Sequence, residues 1–140
     1  MVSGKFLRYF MKESQFFYRV YYEDTDAGGV VYYANYLKFF ERGRTDFLRA
    51  KNIIQSDLAR DLGVVFVVRN CLVEYVKPAR MDDLVEISVA VTEIGKTSIK
   101  MKQEMLKDGL VLCRLDVEIV CVNAVSFKPK RIPEEIQKHF

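Results

Sequence analysis

An α+β fold is what this sequence predicts: one long central helix wrapped by a single curled antiparallel five-stranded sheet, in the order β-α-β-β-β-β. Three observations carry that expectation. Apolar residues recur at helical spacing between Tyr32 and Lys51. Apolar and polar residues then alternate through three consecutive segments that begin at Leu84. Two-residue connections, Gly95-Lys96 and Asp108-Gly109, join those segments as an antiparallel meander requires.

Phe16 to Glu23 alternates aromatic and β-branched residues with polar ones and reads as the first strand. In the long helix, Tyr36, Phe39, Phe40, Phe47 and Ala50, with Gly43 among them, form one face; Lys38, Glu41, Arg42, Thr45, Asp46 and Arg49 fill the other. A shorter helical stretch over Asp57–Leu62 ends at Gly63. It leads into Val64–Val76, whose first half is apolar on both faces, as in a buried strand. Leu84–Ile94 sets Val85, Ile87, Val89 and Val91 on one face, and Thr97–Leu106 does the same with Ile99, Met101 and Met105. Leu110–Val122 continues with Val111, Cys113, Leu115, Val117, Ile119 and Cys121. Pro133-Glu134-Glu135 opens a short terminal helix, with a proline and acids where a helix start favours them.

The chain has 140 residues, half of them apolar, which is enough for one compact domain with a core. Residues 1–14 are expected to be a flexible N-terminal tail and 15–140 a single domain. A net charge of +3 is far from the clustered Lys/Arg of a nucleic-acid binder and suits a modest anionic ligand. No apolar run approaches the length of a membrane span, and the start has no signal-peptide pattern. The three cysteines, Cys71, Cys113 and Cys121, lack C-x-x-C spacing and nearby histidines. They read as reduced core residues of a cytoplasmic protein, with no metal site.

The most informative stretch runs from Tyr21 to Leu37. A strand enters a glycine-bearing turn with two aspartates, Asp24 and Asp26, and passes directly into the aromatic helix. The first backbone N–H groups of a helix have no intrahelical acceptor. A carboxylate placed just before them therefore faces donors suited to a developing oxyanion. Taken alone, D-x-D-x-G-G is equally a helix cap followed by a turn.

The longer pattern Y-x-D-T-D-x-x-G-V-V-Y-x-x-N-Y-L-x-F-x-E-R-x-R-T resembles the 4-hydroxybenzoyl-CoA thioesterase family of hotdog-fold proteins. It is most similar to the YbgC-type acyl-CoA thioesterases linked to the Tol-Pal envelope system of bacteria. The likeness continues through Phe66-Val67-Val68-Arg69, Pro78-Ala79-Arg80-Met81-Asp82-Asp83 and Lys128-Pro129. It implies a hotdog fold and hydrolysis of an acyl-CoA thioester, with coenzyme A as part of the substrate and no separate cofactor. It also implies dimers formed by pairing sheets edge to edge, active sites at the subunit boundary, and a homotetramer. Acyl-carrier-protein thioesters are an alternative substrate. A non-catalytic acyl-thioester-binding or acyl-carrier-protein-binding scaffold is the rival function.

By the same resemblance Asp26 is the catalytic carboxylate, and the backbone N–H of Tyr33 polarises the thioester carbonyl. Asp24 and Gly29 support the turn, although the reverse assignment of the two aspartates stays open. Tyr32, Lys96 and Ser98 are the substrate-binding candidates. Lys96 sits in the hairpin where the family holds coenzyme A phosphates, and Lys77 and Arg80 offer similar charge in another loop. Glu41 and Arg44 are candidates for a subunit contact, and Arg42 reads as a solvated ion-pairing residue. Two positions depart from the family pattern: Tyr33 stands where YbgC-type proteins usually carry histidine, and Gly43 where they carry alanine. The only histidine, His139, is next to last and is expected to be exposed. Together with the absence of G-x-S-x-G, this argues against a serine or cysteine triad.

Overall fold

The computed structural model describes residues 14–140, so the expected tail, residues 1–14, lies outside the described residues except for Ser14. Strand β1 (Gln15–Arg19) is followed by a 3-10 turn at Tyr22–Asp24 and a second at Tyr33–Asn35, then helices α1 (Tyr36–Ala50) and α2 (Gln55–Leu62). Strands β2 (Val64–Tyr75), β3 (Leu84–Ser88), β4 (Ala90–Ile94), β5 (Ser98–Lys107) and β6 (Leu110–Asn123) follow, with α3 (Glu134–Gln137) near the end. Among the described residues no helix is long and apolar enough to cross a membrane.

The α+β class and the long central helix stand, but the curled five-stranded sheet is corrected. Among the described residues the sheet has six strands and is open, running β1-β3-β5-β6-β2 between two free ends, with β4 also on β5. The extra strand arises where the expected Leu84–Ile94 segment is cut at Val89. Its two halves keep to the same side of β5, with Ile87 opposite Met105 and Ala90 opposite Lys102. At the cut the Ser88 hydroxyl accepts the Glu104 N–H (3.0 Å), while the Val89 N–H turns away to the Ser14 carbonyl (3.2 Å). A side chain thus stands in for a ladder bond.

The β5–β6 hairpin closes as its turn residues dictate. Lys107 pairs with Leu110, and Asp108 and Gly109 both take positive φ (49° and 81°), the geometry whose twist matches the flanking strands. Strand β2 departs from its expected buried character. Among the described residues it pairs only with β6, from Val64 opposite Asn123 to Tyr75 opposite Cys113, and its other edge is open. Val67, Val68 and Leu72 are exposed on it, and so is Cys71, which was expected in the core with Cys113 and Cys121; those two are buried.

Helix α1 lies on one face of this sheet and buries Tyr36, Phe39, Phe40, Gly43, Arg44, Phe47 and Leu48. It packs over the inward residues of the strands, Val85, Ile87, Ile99, Met101, Met105, Leu115, Val117 and Ile119. One polar residue occupies the inward register among them. Gln103 donates to the Phe40 carbonyl (2.9 Å) and accepts from Arg44 Nη1 (3.0 Å), so neither buried group is left without a partner. Burial lowers the basicity of the Arg44 guanidinium. Near the end of α1, Phe140 stacks on Phe47 (centroids 6.3 Å apart), and His139 beside it is half-buried rather than exposed.

Candidate active site

The turn that carries both aspartates is held by residues far along the chain. The Val20 carbonyl accepts the Asp82 N–H and the Val20 N–H reaches the Asp83 carbonyl. Further on, the Val31 N–H donates to the Ala79 carbonyl (2.8 Å). Within the turn the Asp26 N–H donates to the Val30 carbonyl and the Gly29 N–H to the Asp26 carbonyl. Gly29 adopts φ 77°, a left-handed conformation that residues with a Cβ rarely take.

The two aspartates occupy opposite environments. Asp24 is buried (4% exposed), and its Oδ2 accepts the Tyr21 N–H (2.8 Å). Its carbonyl accepts both the Tyr32 N–H and Asn35 Nδ2, each at 3.0 Å. Asp26 is exposed, with Oδ1 taking the Gly28 N–H at 2.8 Å. One carboxylate is therefore built into the turn and the other faces solvent.

The expected α-helix start at Tyr32 is displaced. Residues Tyr33–Asn35 form a 3-10 turn, and α1 proper begins at Tyr36. Tyr33 is the first residue of that turn, so its N–H has no acceptor within it. The Tyr33 carbonyl receives the Tyr75 hydroxyl at 2.7 Å. Tyr32 and Tyr33 are both exposed, their rings 4.8 Å apart. A cavity of about 290 Å³ opens beside them, lined by Val30, Tyr33, Tyr36, Tyr75, Lys77 and Pro78 among others.

Two of these tyrosines were not singled out as site residues from sequence. Tyr36 counted as part of the apolar helix face and Tyr75 as the end of a strand. In the fold their rings meet edge to face at 5.2 Å, and the Tyr36 hydroxyl accepts the Ala79 N–H at 3.0 Å. Partial burial raises the pKa of both phenols above the ordinary tyrosine value.

Lys96 and Ser98 lie elsewhere. They belong to the β4–β5 hairpin, where the Gly95 N–H donates to the Ser98 carbonyl and the Lys96 carbonyl accepts the Ile132 N–H, both at 2.8 Å. Asp26 follows the end of β1, near the opposite end of the sheet, by the β5–β6 turn. The ten residues of β5 span roughly 30 Å between those ends. One chain thus gathers Asp24, Asp26, Gly29, Tyr32 and Tyr33 but not Lys96 or Ser98; the lysine it brings to the cavity is Lys77.

A thioesterase-like superfamily model matches residues 20–140, the aspartate turn and the whole sheet beyond β1 included. The chain belongs to that superfamily. It is a hotdog-fold thioester hydrolase related to the YbgC type. It is 44% identical over 123 residues to the acyl-CoA thioester hydrolase YbgC of Escherichia coli O6:H1, covering 87% of this chain and 91% of that one. The acyl-CoA thioesterase YbgC of Haemophilus influenzae is 41% identical over 122 residues, covering 87% and 90%. Among solved structures, a probable thioesterase from Bartonella henselae superposes with TM-score 0.82 at 38% identity, covering 85% of this chain and 98% of that one.

Proposed function

We propose that the protein hydrolyses acyl-CoA thioesters to a free carboxylic acid and coenzyme A, with Asp26 as the reacting carboxylate and the Tyr33 N–H as donor to the thioester oxygen. The observation that carries this reading is the contrast between the buried, hydrogen-bonded Asp24 and the exposed Asp26 beside the start of the 3-10 turn. The YbgC relatives, acyl-CoA thioesterases by name, support the substrate class.

Two routes use the same atoms. In one, an Asp26 oxygen attacks the thioester carbon, the C–S bond breaks to release the thiolate of coenzyme A, and water then cleaves the mixed anhydride. In the other, Asp26 takes a proton from water, the resulting hydroxide adds to the carbon, and the tetrahedral intermediate expels the thiolate. In both, negative charge builds on the carbonyl oxygen, where a backbone donor is worth on the order of 3 kcal/mol.

The open β2 edge supports assembly with a second copy. Antiparallel pairing of two β2 edges reverses the partner, so that the partner's hairpin end, with its lysine and serine, lies beside Asp26 of the first chain. On that arrangement Lys96 and Ser98 serve the coenzyme A phosphates of the neighbouring site, and two such dimers form the tetramer. Asp26→Asn keeps the shape of the side chain and removes both its nucleophile and its base. It is expected to lower kcat/KM at least a hundredfold on acetyl-, hexanoyl- and benzoyl-CoA with the melting temperature unchanged. Near wild-type turnover would remove Asp26 from the chemistry.

A further inference from the structure

The peptide that carries the Tyr33 N–H lies between two tethered groups. On its N-terminal side the Tyr32 N–H is held by the Asp24 carbonyl (3.0 Å), and the Asn35 amide grips the same carbonyl from the far side of the 3-10 turn (3.0 Å). On its C-terminal side the Tyr33 carbonyl is held by the Tyr75 hydroxyl (2.7 Å). The first tether belongs to the turn after β1 and the second to the last residue of β2, so the two come from opposite edges of the sheet.

We propose that Tyr75 is a positioning residue for thioester hydrolysis, its hydroxyl fixing the Tyr33 peptide so that the neighbouring N–H is aimed at the thioester oxygen. The proposal rests on the reading of Tyr33 given above. Both Tyr33 and Tyr75 are substantially exposed, 62% and 47%, so packing alone does not immobilise this turn. A hydrogen bond that fixes the backbone does more here than it would in a close-packed core. The Tyr75 ring is itself set by its edge-to-face contact with Tyr36, and the Tyr36 hydroxyl is anchored on the Ala79 N–H. The chain of contacts therefore runs from the β2–β3 loop through two tyrosines to the turn. A preorganised donor must already stand where charge will develop, and losing its aim costs turnover more than it costs substrate binding.

Tyr75→Phe tests this, because the ring and its contact with Tyr36 remain while the hydroxyl goes. With acetyl-, hexanoyl- and benzoyl-CoA, kcat is expected to fall about tenfold with KM within twofold and the melting temperature within a few degrees of wild type. In the Asp26→Asn background, the infrared red-shift of the bound benzoyl-CoA thioester carbonyl should shrink when Tyr75→Phe is added. Amide hydrogen exchange at Asn35, whose N–H is bonded to the Tyr32 carbonyl, should quicken severalfold in the absence of any substrate. Unchanged kcat, or a change confined to KM or to melting temperature, in a chain whose wild type is active would overturn the positioning role and leave the Asp26 reading standing. A wild type inactive on all three thioesters would instead count against that reading. In that case unchanged exchange at Asn35 would also dispose of the tether.

Discussion

A Cβ atom added to Gly43 would stand 2.5 Å from Cγ2 of Ile87 and 3.3 Å from Nε2 of Gln103. Helix α1 crosses the sheet so closely at this point that a hydrogen is the largest group the position admits. Intrinsic helix preference points the other way, favouring alanine over glycine by about 1 kcal/mol.

Gly43→Ala is therefore expected to destabilise the protein by about 1–2 kcal/mol, the overpacking cost exceeding the helical gain. Urea unfolding measures it. Leucine has no branch at Cβ, so Ile87→Leu in the same chain should recover part of the loss, giving a double variant less damaged than the sum of the two single ones. A stabilised Gly43→Ala would mean that helix and sheet part at little cost.

Asp24→Asn should lower stability at least as much as it lowers rate. The buried carboxylate accepts the Tyr21 N–H, a charge-assisted bond worth about 1.5–3 kcal/mol, and the amide that replaces it brings two donors where the carboxylate brought none. Paired melting curves and kcat/KM values check this. A stable variant with abolished turnover would exchange the roles assigned to the two aspartates.

Light scattering at micromolar concentration should find the wild type several times larger than its 16.3 kDa chain. Val68→Lys together with Leu72→Lys places like charges on the open β2 edge and should shift the protein toward monomer. Activity should fall with assembly on the proposed arrangement, in which the lysine and serine of the β4–β5 hairpin serve the site of a second chain. A fully active monomer would confine the site to one chain.

Alkaline pH should weaken the fold through Cys113. Burial pushes this thiol up to about 12 from an ordinary value of 9.0. Between those values the unfolded chain loses a proton that the folded chain keeps, so the contribution is intact below pH 9 and is lost as pH rises toward 12. The urea midpoint should fall from pH 8 to pH 10, and Cys113→Val should flatten that fall; it would not abolish it, because the partly desolvated phenols of Tyr18, Tyr36 and Tyr75 shift in the same direction. At pH 8 only the exposed Cys71 should react quickly with a thiol reagent. An equal slope in Cys113→Val would assign the alkaline loss to the phenols and to Cys121, whose thiol burial also pushes up.

Much of this architecture was legible where local physics decides it. The spacing of Phe39, Phe40 and Phe47 marks the buried face of α1, and Asp108-Gly109 marks its hairpin, since few dipeptides tolerate two left-handed residues in a row. The cut at Val89 was not legible, because Val89 is as buried and apolar as an uninterrupted strand would make it, and only the Ser88 hydroxyl betrays the break. Strand β2 misled for a related reason: an apolar edge reads the same whether it is covered within a chain or by another one. The aspartate turn stood out by its composition. Its tethers did not, because Tyr75 and Ala79 lie more than forty residues away and nothing local distinguishes their partners.

That distance has a consequence for the order in which the molecule takes shape. Residues 20–36 precede their partners Ala79, Asp82 and Asp83 by 43 to 63 residues, whereas the β5–β6 hairpin needs only its own neighbours. During synthesis the aspartate turn leaves the ribosome early and waits for residues made later, because a loop of such length is entropically slow to close. Folding is thus expected to begin in the C-terminal meander, with the thioesterase turn docking among the last events. A nascent chain arrested before Ala79 would carry every residue of that turn and none of the distant partners that hold it.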